Sequence, residues 1–207
     1  DFEVGESDVL SFGYSAASYW FHDRVEPGAL DDQAVLVIGY PLLDYIELHF
    51  VQNGETVSYI SGDERRFDER PIESPDFVFP VKLSQEVATD IYLKVRTTSS
   101  FQVPVSLISE SSYFRQVPSQ SVVMGMYFGI IFIMALYNFI IFTSTRERLF
   151  FLYVLYAVSW GLLQTTIRGY GYQYLWPESP DWNSVAPVVV GNLAGLGMFG
   201  FCREFLG

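Results

Sequence analysis

One cysteine, Cys202, and two histidines, His22 and His49, are all this 207-residue chain has of the side chains most used for soft-metal binding and nucleophilic chemistry. A lone thiol forms no intrachain disulfide, so the fold must rest on its core. Cys202 itself sits in an apolar run and reads as a small buried hydrophobe. No Ser/His/Asp spacing, HExxH, phosphate loop or CxxC pattern occurs, which leaves no catalytic residue to nominate in this chain. Positive charge is scarce as well: 12 Lys and Arg stand against 24 Asp and Glu, for a net charge of −12. Such a surface repels phosphates, which excludes nucleic acid and electrostatic docking on anionic lipid. Cations, basic peptides and neutral ligands remain. A charged, apolar leader is also missing, since Asp1 opens directly on acidic, strand-like sequence. If the first part is exported, its signal has been removed or omitted.

Half the residues are apolar despite the charge, and the two facts separate along the chain. Residues 1–120 carry 20 acidic and 8 basic side chains, whereas residues 121–207 carry four of each. The first part therefore reads as a soluble acidic domain and the second as membrane sequence. From Val122 to Phe142 the chain runs VVMGMYFGIIFIMALYNFIIF, with Asn138 its one strongly polar side chain. Twenty-one residues reach about 31 Å at helical rise, enough to cross a hydrocarbon core. Two further apolar stretches follow, at 149–167 and, rich in glycine, at 185–202. Length and lack of charge favour three spans over three buried core helices.

The loops orient these spans. Thr143–Arg148 is short and carries Arg146 and Arg148, and Arg203 follows the third span. The link Arg168–Ser184 carries one Arg and the aromatics Tyr170, Tyr172, Tyr174, Trp176 and Trp182. The positive-inside rule puts the Arg-bearing ends in the cytoplasm and the aromatic link at the outer interface, so the N-terminal domain lies outside. Gly125 with Gly129, and Gly191 with Gly195, have the GxxxG spacing that lets helices approach closely. Asn138, Gln164 and Asn192 need partners in neighbouring helices. Three helices with several such groups look like part of a larger bundle, and the end at Gly207 reads as a truncation.

In the first part the period is two. DYIELHFV (44–51) sets Ile46, Leu48 and Phe50 against Tyr45, Glu47 and His49. Asn53-Gly54 then signals a hairpin, with TVSYISG as the return strand. DIYLKVRT and VPVSLIS alternate in the same way. Further strands are expected at VLSFGY, SYWFHDRV, AVLVIGY and DFVFPVKL, the last pushed to a sheet edge by Pro80. About eight short strands without a convincing amphipathic helix indicate an all-β jelly-roll sandwich followed by transmembrane α-helices. The expected organisation is a sandwich over residues 1–117 and the start of a helical bundle over 118–207.

Several segments resemble a known family. SFGYSAASYWFHDRV, YPLLDYIELHF, SGDERRFDERP, FVFPVKL and IYLKVRTTSS are similar, in order, to the extracellular jelly-roll sensor of the seven-transmembrane receptors with diverse intracellular signalling modules. MGMYFGIIFIMALYNFIIF, RLFFLYVLYAVSWGLLQ and GYGYQYLWP resemble that family's membrane domain. The resemblance implies a bacterial inner-membrane receptor with its sensor in the periplasm, four further spans and a cytoplasmic output. That output is typically a diguanylate cyclase or a histidine kinase, and it allows a receptor dimer or hetero-receptor. It also implies a sensor like carbohydrate-binding jelly rolls.

On that implication Tyr19, Trp20, His22 and Arg24 are candidate ligand residues. Tyr19, Phe21 and Asp23 share one strand face, and Trp20, His22 and Arg24 the other. The competing reading makes Trp20 a core anchor, with His22 and Arg24 a solvated or internally paired edge. Arg70 is the fifth candidate, binding a ligand carboxylate or hydroxyl, or else pinning a loop through a neighbouring acid. A cation is the second ligand class. Asp23, Asp31, Asp32 and Asp63, with Glu64, Asp68 and Glu69 nearby, supply hard oxygens suited to Ca²⁺, without EF-hand spacing. The function expected is ligand sensing coupled to the bundle through Ser109–Ser121, where Pro118 limits slack before the helix. The alternatives are the capture domain of a transporter, or an interaction module without its own small ligand.

Overall fold

The computed structural model describes residues 9–14 and 17–206. Eight strands come first: β1 Val9–Tyr14, β2 Tyr19–Val25, β3 Gln33–Ile38, β4 Tyr45–Gln52, β5 Glu55–Ser61, β6 Phe77–Lys82, β7 Thr89–Arg96 and β8 Ser100–Ser109. A 3₁₀ turn at Phe67–Glu69 separates β5 from β6. The helices are α1 Glu110–Thr145, α2 Arg148–Ile167, α3 Tyr170–Tyr174 and α4 Pro180–Leu206. The chain divides into two compact units, one of residues 1–115 with 168–184, the other of 116–167 with 185–207.

In the first unit the strands form two antiparallel sheets, ordered β1-β8-β3-β6 and β2-β7-β4-β5. Each sheet takes strands from both halves of the chain, which is the jelly-roll order expected from the sequence. Period-two alternation builds the core between the sheets: Ile46, Leu48 and Phe50 of β4, beside Ile91, Leu93 and Val95 of β7, join Phe77, Phe79 and Val81 of β6 from the other sheet in one cluster. Pro80 sits on β6, an edge strand, where its missing N–H costs little. Asn53 and Gly54 have φ of 52° and 79° and close the two-residue β4–β5 hairpin as a primed turn.

β2 decides between the two readings of its faces. Tyr19 and Phe21 point inward, with ring centroids 4.7 and 6.2 Å from that of buried Phe101. Trp20 is 45% exposed on the opposite face, so it is not a core anchor. Alternation hands the interior to its neighbours.

In the second unit, α2 and α4 contain the second and third expected spans. α1 contains the first but begins 12 residues earlier. Three helices of 36, 20 and 27 residues are long and apolar enough to cross a membrane. Pro118 lies inside α1 rather than before it. Proline removes there only the one N–H that would have reached Phe114 O, and α1 continues through it. The GxxxG pairs do not make the close approaches. A Cβ added at Gly125, Gly129 or Gly195 would meet nothing within 4 Å, whereas at Gly197 it would come 3.1 Å from Tyr156 Cα, and at Gly161 3.2 Å from Ile131. Nor do the asparagines need neighbouring helices. Asn138 Nδ2 donates to Met134 O and Asn192 Nδ2 to Val188 O, each one turn back in its own helix. Cys202 is half-buried.

The opposed faces of β2 make a measurable contrast. Phe101→Ala should lower stability by about 3–5 kcal/mol, and Trp20→Ala by about 1 kcal/mol or less. Hydrogen-exchange free energies of the β4 and β7 amides in the detergent-solubilised chain measure both. Equal costs would contradict the assignment of inner and outer faces.

Candidate functional site

Two arrangements in the sandwich unit place chemistry-bearing side chains together. The first is the outer face of the β2-β7-β4-β5 sheet, where register lines residues up in rows. Trp20, Lys94 and Glu47 are successive cross-strand neighbours, as are His22, Tyr92, His49 and Ser58 in the next row. Adjacent side chains on one face stand close enough to interact, and these do. Lys94 Nζ lies 5.3 Å from the Trp20 ring centre and 3.3 Å from Glu47 Oε2. Trp20 stacks on His49 at 6.2 Å, and His22 on Tyr92 at 4.6 Å. His49 Nδ1 is 2.7 Å from Ser58 Oγ and its Nε2 is 3.2 Å from Glu47 Oε1. His22 Nε2 is 3.0 Å from Asp90 Oδ1, which Arg24 also approaches at 3.8 Å. Burial pulls the Glu47 carboxyl upward, but Lys94, with Tyr45 and His49, outweighs it and leaves the group below its ordinary value. The face is a pavement of aromatic rings and paired charges, with Trp20 its most exposed ring.

The second arrangement surrounds Arg70, which is only 7% exposed. Its Nη1 donates to Ser74 O and Pro75 O, both at 2.8 Å. Its guanidinium carbon lies 4.6, 4.3 and 5.8 Å from the ring centres of Phe67, Phe77 and Tyr172. Loss of water lowers its pKa to about 10. Arg70 thus pins a loop, but through backbone carbonyls and ring faces instead of an acid. Among the described residues no carboxylate lies within ion-pair distance of it.

The segment Arg70 holds is also where the chain leaves the sandwich. Tyr113, in the first turn of α1, donates from its hydroxyl to Ser74 Oγ at 3.1 Å. Gly169, just past α2, has φ of 77°, and a Cβ there would come 2.8 Å from Pro75 O and 3.0 Å from Pro41 Cβ. The link Arg168–Ser184 packs on the same junction. Tyr172, 1% exposed, donates its hydroxyl to Arg65 O and meets Phe67 edge-on at 5.7 Å. Phe67 N–H donates to Pro177 O. Trp176 Nε1 donates to buried Asn183 Oδ1 at 3.1 Å, which ties the link to the start of α4.

Acid groups complete the junction. Asp44 accepts from the N–H and hydroxyl of Thr98, both at 2.8 Å. Asp63, 3% exposed, is pushed up to about 7 by loss of solvent, with repulsion from Asp44 and Glu64 adding to it and Arg70 opposing. Burial also raises Asp76 above its ordinary value, against Arg70 and Arg168. Tyr172 is pushed up to about 12, again chiefly by burial.

Of the candidate ligand residues, Trp20, His22 and Arg24 share the outer face, Tyr19 packs inward on Phe101, and Arg70 belongs to the junction. Asp23 accepts from the Arg24 N–H, Asp31 and Asp32 line an open cavity with Glu110, and Asp63 is in the junction. Among the described residues no three His, Cys, Asp or Glu side chains are grouped to hold a metal ion. Sequence reasoning did not nominate Lys94, His49, Tyr92 or Tyr172. Period-two alternation was the available signal for the first three, once β4 and β7 were known to flank one another.

Residues 1–109 match the family model described as 7TMR-DISM extracellular 2, and residues 120–207 match that described as 7TM diverse intracellular signalling. An extracellular domain is thus followed by a seven-transmembrane signalling domain, in the order the sequence resemblance implied, and the chain is a membrane protein with its N-terminal domain outside. No curated protein matches the chain.

Docking of the link depends on Gly169, where a side chain is excluded by both φ and space. Gly169→Ala should cost the docked link about 1–2 kcal/mol, raising chymotryptic cleavage after buried Tyr172 about tenfold. Unchanged cleavage would show that the link is not held there.

Proposed function

The chain belongs to the 7TMR-DISM extracellular 2 family, and on that premise we propose that it is the receiving part of a bacterial inner-membrane receptor. Its periplasmic sandwich takes a carbohydrate-like small ligand on the outer face of the β2-β7-β4-β5 sheet. The occupied state then biases the packing of the membrane helices toward one arrangement, and an output module of the cyclase or kinase class reads the result. The chain itself is a non-catalytic transducer.

The observation that carries this reading is the exposed Trp20 ring set among His22, Tyr92, His49, Lys94 and Glu47. A ligand site needs apolar surface for contact and a few fixed polar groups for orientation. An aromatic face meets the C–H face of a sugar ring, while the flanking imidazoles, ammonium and carboxylate match hydroxyls at its rim. Mutual pairing holds these side chains in place beforehand, which reduces the ordering cost of binding. Coupling requires that the ligand prefer one arrangement of the receptor over another. β8 ends at Ser109 and α1 begins at Glu110, so the strand leads directly into the first membrane helix, which supports this route.

Titration of the detergent-solubilised chain with neutral glucose and N-acetylglucosamine oligosaccharides, followed by calorimetry, tests the ligand face. A saturable heat is expected with at least one, and Trp20→Ala should weaken it tenfold or more, about 1.4 kcal/mol. No heat with any of them, or binding indifferent to Trp20, would remove the carbohydrate reading. In a receptor carrying its output, a Gly/Ser replacement of residues 109–121 should abolish the response to ligand while leaving affinity intact. A preserved response would refute the coupling route.

A further inference from the structure

We propose that the link Arg168–Ser184 is a proton-operated latch: protonated Asp63 keeps it closed on the sandwich, and loss of that proton loosens it, making acidity outside the membrane an input to the two membrane helices the link connects. The inference is independent of which ligand the outer sheet face takes, and its test leaves that face untouched.

Three observations carry it. The β8–α1 exit and the start of the link both pack on the Ser74–Asp76 segment, where Tyr113 bonds Ser74 and Gly169 lies against Pro75. Arg70 holds that segment through the Ser74 and Pro75 carbonyls. Finally, Asp63 Oδ1 and Arg70 Nε are both buried without a hydrogen-bond partner among the described residues. Arg70 therefore has a donor to spare, and Asp63 an acceptor.

While the Asp63 carboxyl is neutral, Arg70 Nη1 stays on the two carbonyls and the segment they belong to stays fixed. Once it ionises, Asp63 draws the guanidinium toward itself through the unpartnered Nε, which turns the fork away from the carbonyls, and its own charge must be rehydrated. The groups facing Asp63 are Asp44 and Glu64, which repel its charge, Arg70, which attracts it, and Tyr172 from α3. Glu64 is itself held by Arg96 at 3.0 Å. Arg70 also faces Asp76, which in turn faces Arg168. Asp68 and Glu69, near Tyr172, are paired with Arg66 and Arg65. The repulsive groups outnumber the one attractive group, so ionisation strains the closed site. The link is the element that yields, because it is held by a few contacts around Tyr172 and Gly169, while the strands are held by ladders.

The sign follows from linkage. Asp63 titrates at about 7 in the closed state, against an ordinary value of 3.8. The closed state therefore holds the proton more tightly, and closure weakens as pH rises between those values, then levels off above about 7.

Hydrogen exchange of the full chain in lipid nanodiscs, corrected for intrinsic rates, reads the latch directly. Peptides within 168–184 should open at least about tenfold more at pH 7 than at pH 5, with little further change to pH 8. β4 and β7 should stay protected throughout. Asp63→Asn should keep the link closed with less than about a twofold change across the range, and Tyr172→Phe should open it at every pH while keeping the slope. A flat wild-type profile, an undiminished slope in Asp63→Asn, or loss of β4 and β7 protection in step with the link would each overturn the proposal.

Discussion

A guanidinium removed from water must find acceptors nearby, and the junction of this protein is organised by that requirement. Arg70 meets it in part, with two backbone carbonyls and three aromatic faces, and keeps Nε without a partner among the described residues. Each of those partners does something else as well. Phe77 begins β6, Phe67 opens the 3₁₀ turn, Tyr172 comes from the link between α2 and α4, and the carbonyls belong to the segment against which Tyr113 of α1 and Gly169 of the link pack. Satisfying one buried charge thereby joins the strand core to the routes by which the chain leaves it. A lysine would serve poorly, since a compact ammonium presents no flat face for rings and no fork of donors.

The two sides of the β2-β7-β4-β5 sheet show the same alternation put to different ends. Toward β6 the rule is exclusion of water, and Ile46, Leu48, Ile91, Leu93 and Val95 are buried. Away from it, the intervening residues place rings and opposite charges in cross-strand rows. Such rows pair charges locally, since Lys94 meets Glu47 and Arg24 meets Asp90. The acidic excess therefore lies elsewhere, partly at the junction, where Asp44, Asp63 and Asp76 are drawn out of solvent.

Much of the architecture was legible beforehand because it depends on local pattern. Strands lie at each of the eight segments where they were expected, three of them by alternation, Asn53-Gly54 makes its turn, and Pro80 occupies an edge. The spans followed from run length alone. Residues whose role depends on distant partners were less readable. Arg70 could be a ligand residue or a loop pin until Ser74, Phe77 and Tyr172 were seen around it. Trp20 could face either way, because a strand's pattern separates two faces without saying which is inside, and only Phe101 behind Tyr19 and Phe21 decides it. Pro118 suggested a helix boundary by its usual effect, but it removes a single N–H from a 36-residue helix and α1 passes through.

By itself the sequence determined the division into an acidic β domain and apolar spans, the approximate number and places of the strands, and the outward placement of the N-terminal part. Periodicity, run length and charge are properties of neighbours along the chain, so they survive without coordinates. Tertiary structure decided the rest. It aligned Trp20, Lys94 and Glu47 across three strands, and it brought Tyr172 to Arg65 and Arg70 from a hundred residues away. Those meetings depend on strand order and on where a buried charge finds its acceptors, and neither is a local property.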